Sequence, residues 1–175
     1  DPDQEICVPT SPNTVTMAGN VPVVPATGLW TLVSGSATIV DPTDPATSIT
    51  DLTVGMHVFL WTLDNGPCGS ATSDQVTVTV YDAGSPNANA GPDQQLCTPT
   101  TSAALNGSTP TFPAAGTWSI VSGTGALSDP TDPAASITGL VPGITVLVWT
   151  VDNGPCANGL TTDTVTITLN DANIQ

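Results

Sequence analysis

The sequence predicts an all-β chain built as two tandem immunoglobulin-like β-sandwich domains, with one disulfide in each. Three observations predict this. The chain repeats itself, its apolar residues alternate in short runs between turn residues, and its cysteines stand at matching positions in the two copies.

The repeat is legible along almost the whole length, one copy returning about ninety positions after the other. Ile6-Cys7 returns as Leu96-Cys97, and Trp30-Thr31-Leu32-Val33-Ser34-Gly35 as Trp118-Ser119-Ile120-Val121-Ser122-Gly123. Asp41-Pro42-Thr43-Asp44-Pro45-Ala46 recurs intact from Asp129 to Ala134. Trp61-Thr62-Leu63-Asp64-Asn65-Gly66-Pro67-Cys68 returns as Trp149-Thr150-Val151-Asp152-Asn153-Gly154-Pro155-Cys156. The expected organisation is a first repeat over 1–84, a linker over 85–92 whose freedom Pro86 and Pro92 limit, and a second repeat over 93–175. Asp1-Pro2-Asp3-Gln4 corresponds to Gly91-Pro92-Asp93-Gln94, and Asn170-Asp171-Ala172 to Tyr81-Asp82-Ala83. Both ends are in phase with the repeat, so further copies are expected in one or both directions.

Within the first repeat, strands are expected over 4–8, 14–18, 28–34, 37–40, 47–52, 57–63 and 75–81. Val76, Val78 and Val80 alternate with Thr77 and Thr79, and Val165, Ile167 and Leu169 repeat the pattern, as half-buried strands do. Phe59, Trp61 and Leu63 share one face, as do Leu147, Trp149 and Val151. With 17 Pro and 16 Gly punctuating the chain, no helical stripe survives. Seven short strands per repeat with turns between them read as a sandwich of the immunoglobulin class. Trp30 and Trp118 fall where that class buries a tryptophan; Trp61 and Trp149 read as core residues too. The competing role for all four is a sugar-stacking platform.

Cys7, Cys68, Cys97 and Cys156 complete the framework. The simplest pairing is Cys7 with Cys68 and Cys97 with Cys156, one bond in each repeat. A four-cysteine zinc site wants closely spaced pairs, which are lacking. Disulfides imply an oxidising, extracellular setting.

The charge is one-sided. Fifteen acidic residues face no Lys or Arg, a formal charge of −15. Phosphate-mediated nucleic-acid binding and attraction to anionic lipid both need cations, so neither partner is expected. No stretch is apolar for the length of a membrane span, so no direct membrane insertion is expected. Six Asp recur in both copies, at 3/93, 41/129, 44/132, 64/152, 74/163 and 82/171. Most read as turn formers. The alternative is calcium, which takes oxygen ligands, with Asp82, Asn87, Asn89 and Asp93 as candidate ligands. Otherwise no cofactor is expected.

Catalysis finds little support. The second repeat has no His, so no Ser-His-Asp set can be shared by both copies. There is no Lys for Schiff-base chemistry. The single histidine, His57, faces Thr145 in the other copy and reads as a strand residue near the surface. Two modification sites are candidates: Thr164 in Asp163-Thr164-Val165 for O-glycosylation, and Asn106 in Asn106-Gly107-Ser108 for N-glycosylation.

The ordered set Ala90-Gly91-Pro92-Asp93-Gln94-Gln95-Leu96-Cys97, Gly116-Thr117-Trp118-Ser119-Ile120-Val121-Ser122-Gly123, Asp129-Pro130-Thr131-Asp132-Pro133, Gly139-Leu140-Val141-Pro142-Gly143 and Val148-Trp149-Thr150-Val151-Asp152-Asn153-Gly154-Pro155-Cys156 resembles an immunoglobulin-like or PKD-like repeat. Such repeats occur in very large Bacteroidetes surface proteins, including SprB-type gliding-motility adhesins. The resemblance implies a secreted cell-surface filament or adhesin exported by the type IX system. The cysteines do not match the disulfide of antibody domains, so antibody-like binding loops are not implied.

The expected function is therefore a structural spacer or filament segment of a surface adhesin, not an enzyme, with further copies of the same repeat as its partners. The alternatives are a module that binds surface glycans or proteins, and a pilin-like subunit assembled by strand donation. Exposed aromatic rings on a loop face would favour binding; aromatics confined to the core would favour the spacer.

Overall fold

The computed structural model describes residues 2–9 and 13–172, the side chain of Cys68 excepted. Its contacts divide the chain into two compact units. The first holds residues 1–83 together with 154–157, and the second holds 84–153 and 158–175.

The first unit contains β1 (Gln4–Val8), β2 (Val15–Thr16), β3 (Thr27–Ser34), β4 (Thr38–Ile39), β5 (Ser48–Thr50), β6 (Gly55–Asp64) and β7 (Thr72–Asp82). One sheet has the order β1-β7-β6-β3 and the other β2-β5-β4. The ladders are antiparallel except that β1 runs parallel to β7, with Gln4 opposite Val78 and Cys7 opposite Tyr81. Four strands facing three is the immunoglobulin-like arrangement.

The alternation in the sequence explains the core. Val76, Val78 and Val80 are at most 1% exposed, and with Phe59, Trp61 and Trp30 they form one wall. Val15 and Ile49 come from the other sheet. Such fully buried aliphatic side chains contribute about 1.5–3 kcal/mol each. Trp30 lies directly opposite Trp61 in the β3–β6 ladder, their rings 5.0 Å apart and inclined at 38°. A tilted pair of this kind adds about 0.5–1.5 kcal/mol beyond its buried area. Gly28 makes room for it, since a Cβ there would fall within the Trp61 ring.

The second unit repeats the plan with β8 (Gln94–Cys97), β9 (Ser102–Ala104), β10 (Ala115–Ser122), β11 (Ala126–Leu127), β12 (Ser136–Thr138), β13 (Gly143–Asp152) and β14 (Leu160–Asn170). Its sheets are β10-β13-β14-β8 and β11-β12-β9, with β8 parallel to β14. Trp118 and Trp149 repeat the stacked pair at 4.8 Å and 41°. The stretch 85–92, expected to be a plain linker, contributes Ala90 to this unit's core at 2% exposure.

Candidate functional site

The cysteines depart from the expected pairing. Cys7 is bonded to Cys156, with their Cα atoms 5.1 Å apart, and Cys97 is free and exposed. Because residues 154–157 group with the first unit, the bond lies within that unit. The parallel edge strands explain why neither repeat closes on itself. Cys7 stands beside Tyr81 at the far end of β7, whereas the turn carrying Cys68 precedes Thr72 at its start. That length of strand is about 30 Å, and a disulfide needs Cα atoms within about 7 Å. Cys97 is likewise opposite Asn170 at the end of β14, while Cys156 precedes its start at Leu160. The side chain of Cys68 lies outside the described residues.

The four tryptophans are core residues. Trp30, Trp61, Trp118 and Trp149 are at most 3% exposed. Trp30 Nε1 donates to the carbonyl of Pro45 at 3.3 Å, and Trp118 Nε1 to that of Asp132 at 3.2 Å. Their rings are thus tied to the two Asp-Pro turns. The backbone N–H of each also donates to the turn, Trp30 to Pro42 and Trp118 to Pro130.

Those turns occupy four of the recurrent carboxylates. Asp41 Oδ1 accepts from the backbone N–H and the hydroxyl of Thr43 at 2.9 and 2.8 Å, and Asp44 Oδ1 from the Ala46 N–H at 2.9 Å. Asp129 and Asp132 make the same bonds to Thr131 and Ala134, all at 2.8 Å. The Thr43 and Thr131 N–H groups, followed by the hydroxyls of the same residues, hold the Asp41 and Asp129 carboxyls below the usual carboxylate range. Asp3 and Asp93 pin the edge strands instead, accepting from the N–H of Thr77 and Thr166 at 2.8 Å.

His57 is buried, not near the surface as expected, at 1% exposure. Its Nδ1 accepts from the Ser36 N–H at 3.1 Å and its Nε2 donates to the Thr53 carbonyl at 2.7 Å. With both nitrogens satisfied by backbone, the ring can occupy an interior position without an unpaired polar atom. Thr145 meets the same position with one bond, its hydroxyl donating to the Thr124 carbonyl at 3.3 Å.

Of the calcium candidates, Asp82 ends β7 in the first unit, and the other three belong to the second. There Asn87 Oδ1 accepts from Asn158 Nδ2 at 3.1 Å and Asn89 Oδ1 from the Gly91 N–H at 2.8 Å. Asp93 Oδ1 accepts from the Thr166 N–H at 2.8 Å. Among the described residues, no three His, Cys, Asp or Glu side chains converge as a metal site. Thr164 is exposed on β14, and Asn106 is exposed after β9.

No family model matches the chain, and no curated protein matches it significantly. Among solved structures, it is similar to the four N-terminal Ig domains of Dscam1, with a TM-score of 0.52 and 12% identity over 98% of this chain and 44% of that one. It is also similar to the PKD domain of the KIAA 1837 protein, with a TM-score of 0.44 and 26% identity over 51% of this chain and 90% of the domain. A titin I-band fragment, I67–I69, gives 0.42 and 10% identity over 97% of this chain and 63% of the fragment. The first of these bears on the fold, which is all-β and immunoglobulin-like.

Proposed function

We propose that the chain is a structural spacer in a secreted cell-surface adhesin. The observation that supports this reading is where the large aromatic rings lie. All four tryptophans and Phe59 are packed in the sandwich interiors. A carbohydrate-stacking face would need such rings at the surface. The disulfide favours an extracellular setting, and a charge of −15 with no cation keeps repeated modules soluble and mutually repelling. The motifs at 90–97, 116–123, 129–133 and 148–156 carry the finer reading, a repeat of a Bacteroidetes gliding-motility adhesin exported by the type IX route, with further copies of the same repeat as its neighbours. No catalytic role is part of it.

A second reading has one observation in its favour. Val21, Val23 and Val24 are 78%, 83% and 89% exposed in the loop between β2 and β3, and Phe112 is 65% exposed in the matching loop of the second unit. These side chains would suit a protein-binding contact. Beads coated with the chain and passed in flow over polysaccharide-, mucin- and protein-coated surfaces separate the two. A spacer shows no saturable retention. Saturable retention that Val24→Asp or Phe112→Asp abolishes would replace the spacer with the loop-binding reading.

A further inference from the structure

Cys7 and Cys97 hold the same place in their units. Each ends the edge strand that runs parallel to the last strand, Cys7 opposite Tyr81 in the β1–β7 ladder and Cys97 opposite Asn170 in the β8–β14 ladder. At Cys7 that strand end is covered by the turn over 154–157, which belongs to the same unit. Gly154 lies so close to Tyr81 that a Cβ would stand 2.6 Å from the ring. Two residues on, Cys156 is bonded to Cys7, and both are buried. At Cys97 the same end is open. The thiol is free and exposed, and Asn170 opposite it is exposed as well.

The chain carries a second turn of the kind that covers this end. Asp64-Asn65-Gly66-Pro67-Cys68 repeats Asp152-Asn153-Gly154-Pro155-Cys156 residue for residue. Gly66 takes the same left-handed conformation as Gly154, with φ +59° against +54°. The Asp64 carboxylate accepts from the Gly66 N–H at 2.8 Å and holds the turn. At Gly154 the missing Cβ is what allows the close approach to Tyr81. At Gly66, nothing among the described residues stands within 4 Å of where a Cβ would be, and Asp64, Asn65, Gly66 and Pro67 are all exposed. One chain therefore presents both an uncovered strand end and an unplaced turn, the two halves of the contact that Cys7 and Cys156 complete.

We propose that the end of β8 at Cys97 is the attachment site for a second copy of this chain. That copy brings its 64–68 turn against β8 and β14, and Cys97 is joined to its Cys68 by a disulfide. Each copy carries a charge of −15 with no Lys or Arg, so two copies repel at long range and the contact is held by its covalent bond. The oxidant is a small disulfide such as glutathione disulfide. One cysteine thiol attacks it and releases one glutathione; the second thiol then attacks the mixed disulfide and releases the other. Two cysteine thiols lose two protons and two electrons, and the glutathione disulfide becomes two glutathione thiols. Because the end and the turn are different surfaces of one chain, the contact is heterologous, and joining extends copy by copy.

The test uses two variants of the full chain. Cys68→Ser retains Cys97, and Cys97→Ser retains Cys68. Each is incubated alone and in equal mixture in a glutathione redox buffer. Products are separated without reductant and identified by intact mass and peptide mapping, which also verifies that Cys7 stays bonded to Cys156. In the mixture the Cys97–Cys68 heterodimer exceeds each homodimer by at least about tenfold, where random thiol pairing gives only about twofold, and assembly stops at the dimer. The unaltered chain forms a ladder of oligomers that reductant collapses. Gly66→Val, placed in the Cys97→Ser chain, fills the space that the turn needs against the strand end and returns the mixture to the random ratio. A random ratio without that substitution, a heterodimer excess that survives it, or an unaltered chain that stays monomeric with Cys97 capped by glutathione would each overturn the proposal.

Discussion

The two repeats solve the same packing problem with the same tryptophan pair but meet their polar obligations differently. Trp118 and Trp30 are tied to identical Asp-Pro turns. Trp149 has an acceptor in Ser108, while its counterpart Trp61 has none. His57 in one repeat binds two backbone groups where Thr145 in the other binds one. The stacked rings and the turns beneath them define the module. The interior polar positions vary between the repeats, and at one of them Trp61 Nε1 lacks the acceptor that Trp149 Nε1 has.

The largest difference is covalent: Cys7 is bonded to Cys156, whereas its counterpart Cys97 is free. Cys156→Ala opens a loop of 149 residues of sequence separation, which on the chain-entropy model removes about 5 kcal/mol of stability. In chemical denaturation the loss appears as a lower midpoint, and adding reductant to the unaltered chain reproduces it. Reductant should shift the variant far less.

The shared core should respond alike in both repeats. Trp30→Ala and Trp118→Ala each cost about 3–5 kcal/mol, read by denaturation of the unit that carries the change. A cost confined to one of them would mean that the modules are not equivalent where the sequence says they are. The variable position is gentler. His57→Thr installs the residue of the other repeat but leaves the Ser36 N–H without its acceptor, a loss of about 1–3 kcal/mol.

The smallest effect is acid sensitivity. The Asp41 and Asp129 carboxyls sit below their ordinary range because the Thr43 and Thr131 N–H groups bind the ionised form first and foremost. Their contribution is therefore fully present above about pH 4, the unfolded range, and is lost as the pH falls through the lower folded values. Asp41→Asn and Asp129→Asn should each flatten the decline of melting temperature with pH below about pH 4, by similar small amounts.

Much of this fold was legible in the sequence. Alternation at Val76, Val78 and Val80 announced β7, and the repeated Trp-Thr-x-Asp-Asn-Gly-Pro-Cys motif announced the end of β6 and of β13. The shortest strands were blurred: 14–18 was expected where only Val15–Thr16 forms, because Met17 continues the pairing through a single bond to the Thr47 carbonyl. The burial of His57 is signalled by its place two residues before Phe59, in phase with Trp61, although the other repeat has the unlike Thr145 there. The disulfide was not legible. Equivalent positions say which cysteines correspond, not which meet; meeting depends on the parallel register of β1 on β7, and no local pattern encodes it.

A chain closed by the long Cys7–Cys156 disulfide has a signature under force. Pulled from its ends without reductant, the chain should release only the residues outside the Cys7–Cys156 loop. With reductant, unfolding should release the further 149 residues of that loop, at about 3.3–3.6 Å each. Reductant-dependent release in two separate increments of about sixty residues, each about 200 Å, would instead mean a bond within each repeat. Full-length release without reductant would mean no bond at all, and either result would contradict the Cys7–Cys156 topology.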